Sequence, residues 1–106
     1  MSNLFNVKNV NFVITGGLGQ IGLKLCEYLE QNGSKMAIID LYDQKKLKIQ
    51  KKKHPFLNSK NIKLFSVDIS KKEKVKSSLN KILNFLEKID VLVNLAAIDT
   101  NTKGKF

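Results

Sequence analysis

The sequence predicts an α/β fold in which a doubly wound parallel sheet is covered by helices on both faces. Short strands alternate with helical segments along the chain, which favours parallel strands joined by crossover helices. The strand cores are nearly continuous apolar runs, as expected for strands buried on both faces. A glycine-rich turn joins the first strand to the first helix. Right-handed crossovers then predict four strands in the order 3-2-1-4.

The first half of the chain reads as strand, helix and strand. Residues 10–15 form a short apolar run that ends at glycines, which predicts strand one. Apolar residues recur at helical spacing over 20–31. Asn32 and Gly33 end that helix with a pair suited to a left-handed C-cap. Residues 35–40 form the second apolar strand.

The second half continues the same alternation. A lysine-rich helix is expected at about 43–52, followed by strand three at 62–68. Ser70 and Glu73 fit a capping box at the start of a third helix, which carries apolar residues on one face. Strand four and the start of its exit loop occupy 90–97.

The charge of the chain is strongly positive but carries little recognition chemistry. Its 19 cationic residues, all of them lysine, outnumber 9 acidic residues and give a formal charge of +10. Arginine, which makes the commonest specific base contacts and stacks on bases, is absent. We therefore expect no sequence-specific nucleic-acid partner, and we interpret the excess of lysine as a compositional bias. The densest run, 45–53, is interpreted as solvated surface that can still attract polyanions.

Other features of the sequence favour a cytoplasmic protein without a membrane partner. No stretch approaches the roughly 18 apolar residues that a membrane span requires. The N-terminus lacks the basic start, apolar middle and cleavage site of a signal peptide. A single cysteine, Cys26, cannot form an internal disulfide and indicates a reducing compartment.

The turn at 15–22 reads TGGLGQIG and contains the pattern GxGxxG at Gly17, Gly19 and Gly22. A turn without side chains lets backbone N–H groups approach a pyrophosphate at the positive end of a helix dipole. Its place between a strand and a helix makes the pattern far more specific than the spacing alone. A nucleotide-hydrolase P-loop is excluded because Leu23 stands where that motif needs lysine.

Asp40 ends strand two, eighteen residues after Gly22. A carboxylate at this position can accept hydrogen bonds from the adenosine ribose and repels a 2′-phosphate. This favours NAD over NADP as the cofactor. Lys45 and Lys46 follow closely and weaken that preference.

Four segments together resemble the short-chain dehydrogenase/reductase family. They are the turn at 15–22, Asp40, the Val67-Asp68-Ile69 end of strand three, and Asn94-Leu95-Ala96-Ala97 after strand four. The resemblance covers nearly the whole chain, in the family's order.

The resemblance implies a set of cofactor contacts. The pyrophosphate would be lined by Gly16, Gly19, Gln20, Ile21 and Gly22. The adenosine ribose would meet Asp40 and Leu41, and the adenine would lie between Asp68 and Ile69. The wall of the cofactor cleft would come from Asn94, Ala96 and Ala97.

The resemblance also implies an activity, namely NAD(P)-dependent hydride transfer between a nicotinamide and a carbonyl or alcohol substrate. The family's catalytic serine and Tyr-x-x-x-Lys pair lie beyond strand four, so we expect no catalytic residue and no metal site here. Residues 1–106 are interpreted as the N-terminal portion of one Rossmann-like NAD(P)-binding domain, inactive alone. The missing part would bind most of the small-molecule substrate, and the full-length protein would form a homo-oligomer. Tyr42 and Lys46 match the catalytic spacing but follow strand two, beside the adenosine end.

Two alternatives stay open. Gln20 stands where single-domain reductases usually carry glycine, and Leu95-Ala96-Ala97 is similar to the extended branch of the family. That branch contains NAD-dependent sugar-nucleotide epimerases and dehydratases. A non-catalytic dinucleotide-binding module is the alternative from another functional class.

Overall fold

A computed structural model describes residues 6–96, which alternate strand and helix as the sequence predicts. The elements are β1 (Asn11–Thr15), α1 (Gln20–Gln31), β2 (Lys35–Asp40), α2 (Gln44–Lys53), a 3-10 helix (Pro55–Asn58), β3 (Ile62–Ser66), α3 (Lys72–Leu86) and β4 (Val91–Asn94). Gly33 has a φ of 88°, which confirms the left-handed end predicted for α1. No helix within 6–96 is long and apolar enough to cross a bilayer.

The four strands form one parallel sheet in the order β3-β2-β1-β4, which confirms the predicted Rossmann-like topology. Thr15 at the end of β1 pairs with Ile39 of β2 on one side and with Asn94 of β4 on the other. The carboxyl ends of these three strands therefore meet at one edge of the sheet. Ligands of open α/β sheets bind at this edge, outside the point where the strand order reverses.

Alternate residues of the strands face two separate apolar layers. Phe12 and Ile14 face the layer that contains α1 and the 3-10 helix, whereas Val13 faces the layer that contains α3. Cys26 lies in the first layer and is fully buried, and this burial raises the pKa of its thiol to about 12. The only cysteine is therefore a core residue that packs as a small apolar side chain.

A groove of about 370 Å³ stays open between α3 and β4. Leu79 of α3 and Leu92 of β4 line it and are 45% and 66% exposed. The face of the sheet that carries α3 is thus only partly covered by the described residues.

The predicted capping box at the start of α3 is wrong. The hydroxyl of Ser70 donates to Asp68 Oδ1 at 2.6 Å, and Ser70 N donates to the same oxygen at 3.0 Å. These bonds also lower the pKa of Asp68. Helix α3 begins two residues after Ser70, behind Lys71, which makes no side-chain cap.

Helix α2, in contrast, has a side-chain cap. Asp43 Oδ1 accepts a hydrogen bond from Lys46 N at 2.7 Å, which satisfies one of the helix's unpaired N–H groups. The helix covers Gln44–Lys53, so each end lies one residue after its predicted position.

Candidate functional site

The glycine turn between β1 and α1 is held against both strands that flank β1. Gly16 N donates to Ile39 O at 2.8 Å, which ties the turn to β2. Gly16 has a φ of 74°, and a Cβ there would lie 2.7 Å from Ala96 N in the exit of β4. Glycine is therefore required at this position both by the backbone conformation and by the close approach of a second chain segment.

Two further glycines allow close packing here: Gly22 lets α1 begin directly against the turn, and Gly17 lets the turn pack against β2. A Cβ on Gly22 would lie 2.6 Å from Gly16 O, and a Cβ on Gly17 would lie 2.5 Å from Cγ2 of Ile38. Both distances are too short for a real contact. The fold itself therefore accounts for Gly17 and Gly22.

Gly19 differs from its neighbours because its missing side chain faces nearly open space. A Cβ there would meet only Gly16 O, at an ordinary contact distance of 3.5 Å, and its φ of −77° is open to any residue. Packing does not require glycine at this position. A ligand that approaches the backbone here would require it.

The N-terminus of α1 opens beside Gly19. Gly19 is the N-cap and supplies no side-chain hydrogen bond, and the first turn of α1 contains no acidic residue. The first N–H groups of a helix have no partner within the helix, and they carry its positive dipole end. This end of α1 is therefore suited to an anionic group.

Asp40 is fixed beside the glycine turn by two main-chain hydrogen bonds. Its Oδ2 accepts from Leu18 N at 3.0 Å and its Oδ1 accepts from Leu41 N at 2.8 Å. A carboxylate has about four lone-pair sites, so each oxygen retains capacity for another donor. The half-buried carboxylate thus braces the turn and can still bind a ligand hydroxyl.

The exit of β4 forms the opposite wall. Thr15 Oγ1 donates to Asn94 Oδ1 at 2.7 Å, and Leu95 N donates to Thr15 O at 2.9 Å. These bonds position the residues that follow β4, and this segment passes close to Gly16 at Ala96.

These elements enclose a cleft of about 460 Å³. Its lining residues are Gly16, Gly19, Gln20, Ile21, Gly22, Asp40, Leu95 and Ala96. All of them except Leu95 were predicted from the sequence. Leu95 was not predicted, although it stands between Asn94 and Ala96, which were both assigned to the cleft wall. Its place between them could have indicated that it lines the cleft.

The other predicted residues lie elsewhere. Leu41 is 60% exposed and does not line the cleft, and Asp68 belongs to the turn that precedes α3. Ile69 and Asn94 line the groove between α3 and β4. Ala97 lies outside the described residues. The cofactor contacts assigned to all twelve residues, including those that line the cleft, stay predictions.

Tyr42, which matches the catalytic spacing with Lys46, packs against the apolar layer that contains α1. Burial, and then the charge of Asp40, raises the pKa of its phenol. A tyrosine acid/base needs the opposite shift. Within 6–96 there is also no cluster of three histidine, cysteine or acidic side chains that could hold a metal ion.

A family model described as short chain dehydrogenase matches residues 10–106. Alcohol dehydrogenase 1 of Ceratitis capitata is 33% identical over 96 residues, which are 89% of this chain and 35% of that protein. The NAD-dependent glycerol dehydrogenase of Listeria innocua is 28% identical over 95 residues, which are 89% of this chain and 35% of that enzyme. The chain therefore spans about a third of the length of these relatives.

Solved structures share the fold. A short-chain dehydrogenase/reductase from Burkholderia phymatum in complex with NAD superposes with a TM-score of 0.67 at 20% identity, over 84% of this chain and 31% of that one. A Serratia marcescens short-chain dehydrogenase/reductase gives a TM-score of 0.70 at 13% identity, over 85% of this chain and 36% of that one.

Proposed function

This chain belongs to the short chain dehydrogenase family, and we propose that it supplies the dinucleotide-binding part of an NAD(P)-dependent oxidoreductase. The full-length enzyme would transfer hydride between the nicotinamide of that cofactor and a carbonyl or alcohol substrate. The observation that carries the proposal is the cleft, where a bare helix N-terminus, the open side of Gly19 and the carboxylate of Asp40 lie together.

The residues of the cleft fit the two ends of an adenosine diphosphate group. Gly19 has no side chain that would keep a pyrophosphate away from the backbone N–H groups at the positive end of α1. Asp40 has remaining acceptor capacity for ribose hydroxyls. When bound, the nicotinamide end of the cofactor supplies the hydride acceptor or donor, and this chain's residues hold and orient the adenosine end.

Asp40 also favours NAD over NADP. A 2′-phosphate would bring at least one further negative charge toward a carboxylate whose orientation is fixed by two main-chain donors. Lys45 and Lys46 are exposed at the start of α2 and can offset part of that repulsion. We therefore propose NAD as the preferred cofactor, with a finite rather than absolute preference.

We propose that the chain alone binds the cofactor but does not catalyse hydride transfer. Tyr42 is the one tyrosine with the Tyr-x-x-x-Lys spacing, and its partial burial raises the pKa of the phenol instead of lowering it. The residues that contact the reacting carbon and most of the substrate would belong to the remaining two thirds of a family-length protein.

Calorimetric titration of the purified chain with ADP-ribose, NAD and NADP tests this function. ADP-ribose and NAD should bind with similar affinity because both present the adenosine end. NADP should bind about tenfold more weakly, a difference of about 1.4 kcal/mol. A folded chain that binds neither ADP-ribose nor NAD would contradict the proposal.

A further inference from the structure

Helix α2 presents an unusually basic surface. Six of its ten residues are lysine, none is acidic, and none of its side chains is fully buried. At about 100° per residue, five of these lysines fall within an arc of about 160°. They are Lys45, Lys46, Lys48, Lys52 and Lys53, and all of them are exposed. We call this arc the α2 lysine face.

The α2 lysine face is not neutralised by the rest of the described chain. Among residues 6–96 the only ion pair joins Lys88 to Asp90, at 3.6 Å. The nearest acid in sequence is Asp43, whose carboxylate accepts a hydrogen bond from the backbone N–H of Lys46. Lysines three or four positions apart, such as Lys48 and Lys52, repel one another and destabilise the helix. A bound polyanion would relieve that repulsion.

The composition of the α2 lysine face selects among polyanions. It contains no arginine and no aromatic side chain, so it cannot read base edges bidentately or stack on bases. An interfacial membrane helix needs a broad apolar face, but the only exposed large apolar side chain of α2 is Ile49. Lysines alone suit the phosphates of a double helix, which are contacted without regard to sequence.

We propose that the α2 lysine face binds the phosphate backbone of double-stranded nucleic acid independently of base sequence. A helix of ten residues is about 15 Å long, and duplex DNA carries one charge per about 1.7 Å of axis. Several lysines can therefore meet phosphates at once. The proposal rests on α2 and not on dinucleotide binding, although Lys45 and Lys46 of this face are also the lysines that can offset the charge of a 2′-phosphate.

Helix α3 provides a matched control within the same chain. It also carries exposed lysines, but they are divided between opposite flanks of an apolar stripe, and Glu73 lies among them. Two variants of equal net charge can therefore be compared. The first changes α2 by Lys45→Gln, Lys46→Gln, Lys48→Gln and Lys52→Gln. The second changes α3 by Lys72→Gln, Lys74→Gln, Lys76→Gln and Lys81→Gln.

The probe is a fluorescein-labelled DNA duplex of about 20 base pairs, titrated between about 50 and 200 mM salt. The wild-type chain should bind two unrelated duplexes equally. The α2 variant should lose at least tenfold in affinity at low salt, and its slope of log K against log salt should fall by about 3 to 4, because each phosphate contact contributes about 0.9. The α3 variant should retain affinity within about threefold, since it removes net charge but not the clustered face.

Four results would overturn the proposal: no binding by the wild-type chain at low salt, equal losses in the two variants, a preference for one duplex, or tighter binding to anionic phosphatidylglycerol vesicles. Circular dichroism melting checks that both variants fold. The milder pair Lys48→Gln and Lys52→Gln should lower the salt slope by about half as much. That double variant keeps the test decisive if the fourfold α2 variant melts early.

Discussion

The hydroxyl of Thr15 donates a hydrogen bond to Oδ1 of Asn94 at 2.7 Å and joins the last residue of β1 to the last residue of β4. The two residues are also register partners in the sheet, and Leu95 N donates to Thr15 O. The exit of β4 is therefore anchored at two points before it passes the glycine turn. The position of this wall of the cleft therefore depends on the side chain of Thr15, which does not line the cleft itself.

Replacing Thr15 with valine should loosen that wall. Thr15→Val keeps the shape of the side chain but leaves Asn94 Oδ1 without its donor, which should cost about 1 kcal/mol of unfolding free energy. Urea denaturation followed by circular dichroism measures the loss. Thr15→Ser retains the hydroxyl and is the control. A valine variant as stable as the wild-type chain would show that the hydrogen bond contributes nothing.

The glycines of the turn should separate into structural and ligand-contacting positions. Gly19→Ala places a methyl group in nearly open space, so it should cost less than about 1 kcal/mol of stability. The same methyl group should weaken ADP-ribose binding at least about tenfold by keeping the pyrophosphate from the backbone. Thermal melting and calorimetric titration measure the two effects.

Gly22→Ala is the matched contrast. Its Cβ would lie 2.6 Å from Gly16 O, so either the turn or α1 must shift. We expect a loss of at least about 2 kcal/mol in unfolding free energy, in the range of overpacked cores. If Gly19→Ala destabilises the chain as much as Gly22→Ala, the open space beside Gly19 is not present in solution.

Asp40 should contribute both to stability and to cofactor choice. Asp40→Ala leaves Leu18 N and Leu41 N without their acceptor and should cost about 1–3 kcal/mol of unfolding free energy. It should also weaken NAD binding more than NADP binding. Asp40→Asn keeps one acceptor oxygen and loses the charge, so it should retain more stability while narrowing the NAD/NADP affinity ratio. Equal losses for both cofactors in Asp40→Ala would remove the residue from its proposed role.

Cys26 should be unreactive in the folded chain. Burial raises the pKa of its thiol to about 12, so at pH 8 only about one thiol in ten thousand is ionised. Iodoacetamide should modify the native chain at least about a hundredfold more slowly than the urea-unfolded chain, because only the thiolate attacks. Mass spectrometry gives the rate without ambiguity, since the sequence contains a single cysteine. Rapid labelling of the native chain would show that α1 opens readily.

The strands and their order follow from local apolar runs and from the handedness of crossovers, and both are visible in the sequence. The capping-box prediction was wrong because the Ser70 hydroxyl donates to Asp68 instead of accepting from a backbone N–H of α3. Asp68 stands two residues earlier, and its charged oxygen accepts the Ser70 hydroxyl, so the Ser-x-x-Glu pattern never forms a cap.

The site was predictable as a set of positions but not as a set of roles. The GxGxxG pattern does not reveal that a side chain at Gly17 would clash with Ile38 of β2, whereas one at Gly19 would face open space. Nor does the sequence show that Asp40 braces the turn through Leu18 N. Such distinctions depend on contacts between residues far apart in the chain, which spacing does not encode.

The close approach of Gly16 to the backbone of Ala96 has an evolutionary consequence. Where these segments meet, the wall of the cleft consists of main-chain atoms, which have the same shape whatever side chain is attached. Provided that the glycines remain, substitutions of exposed flanking side chains leave the shape of that contact unchanged. A lineage can therefore drift far in sequence and still inherit the geometry of this wall through its backbone.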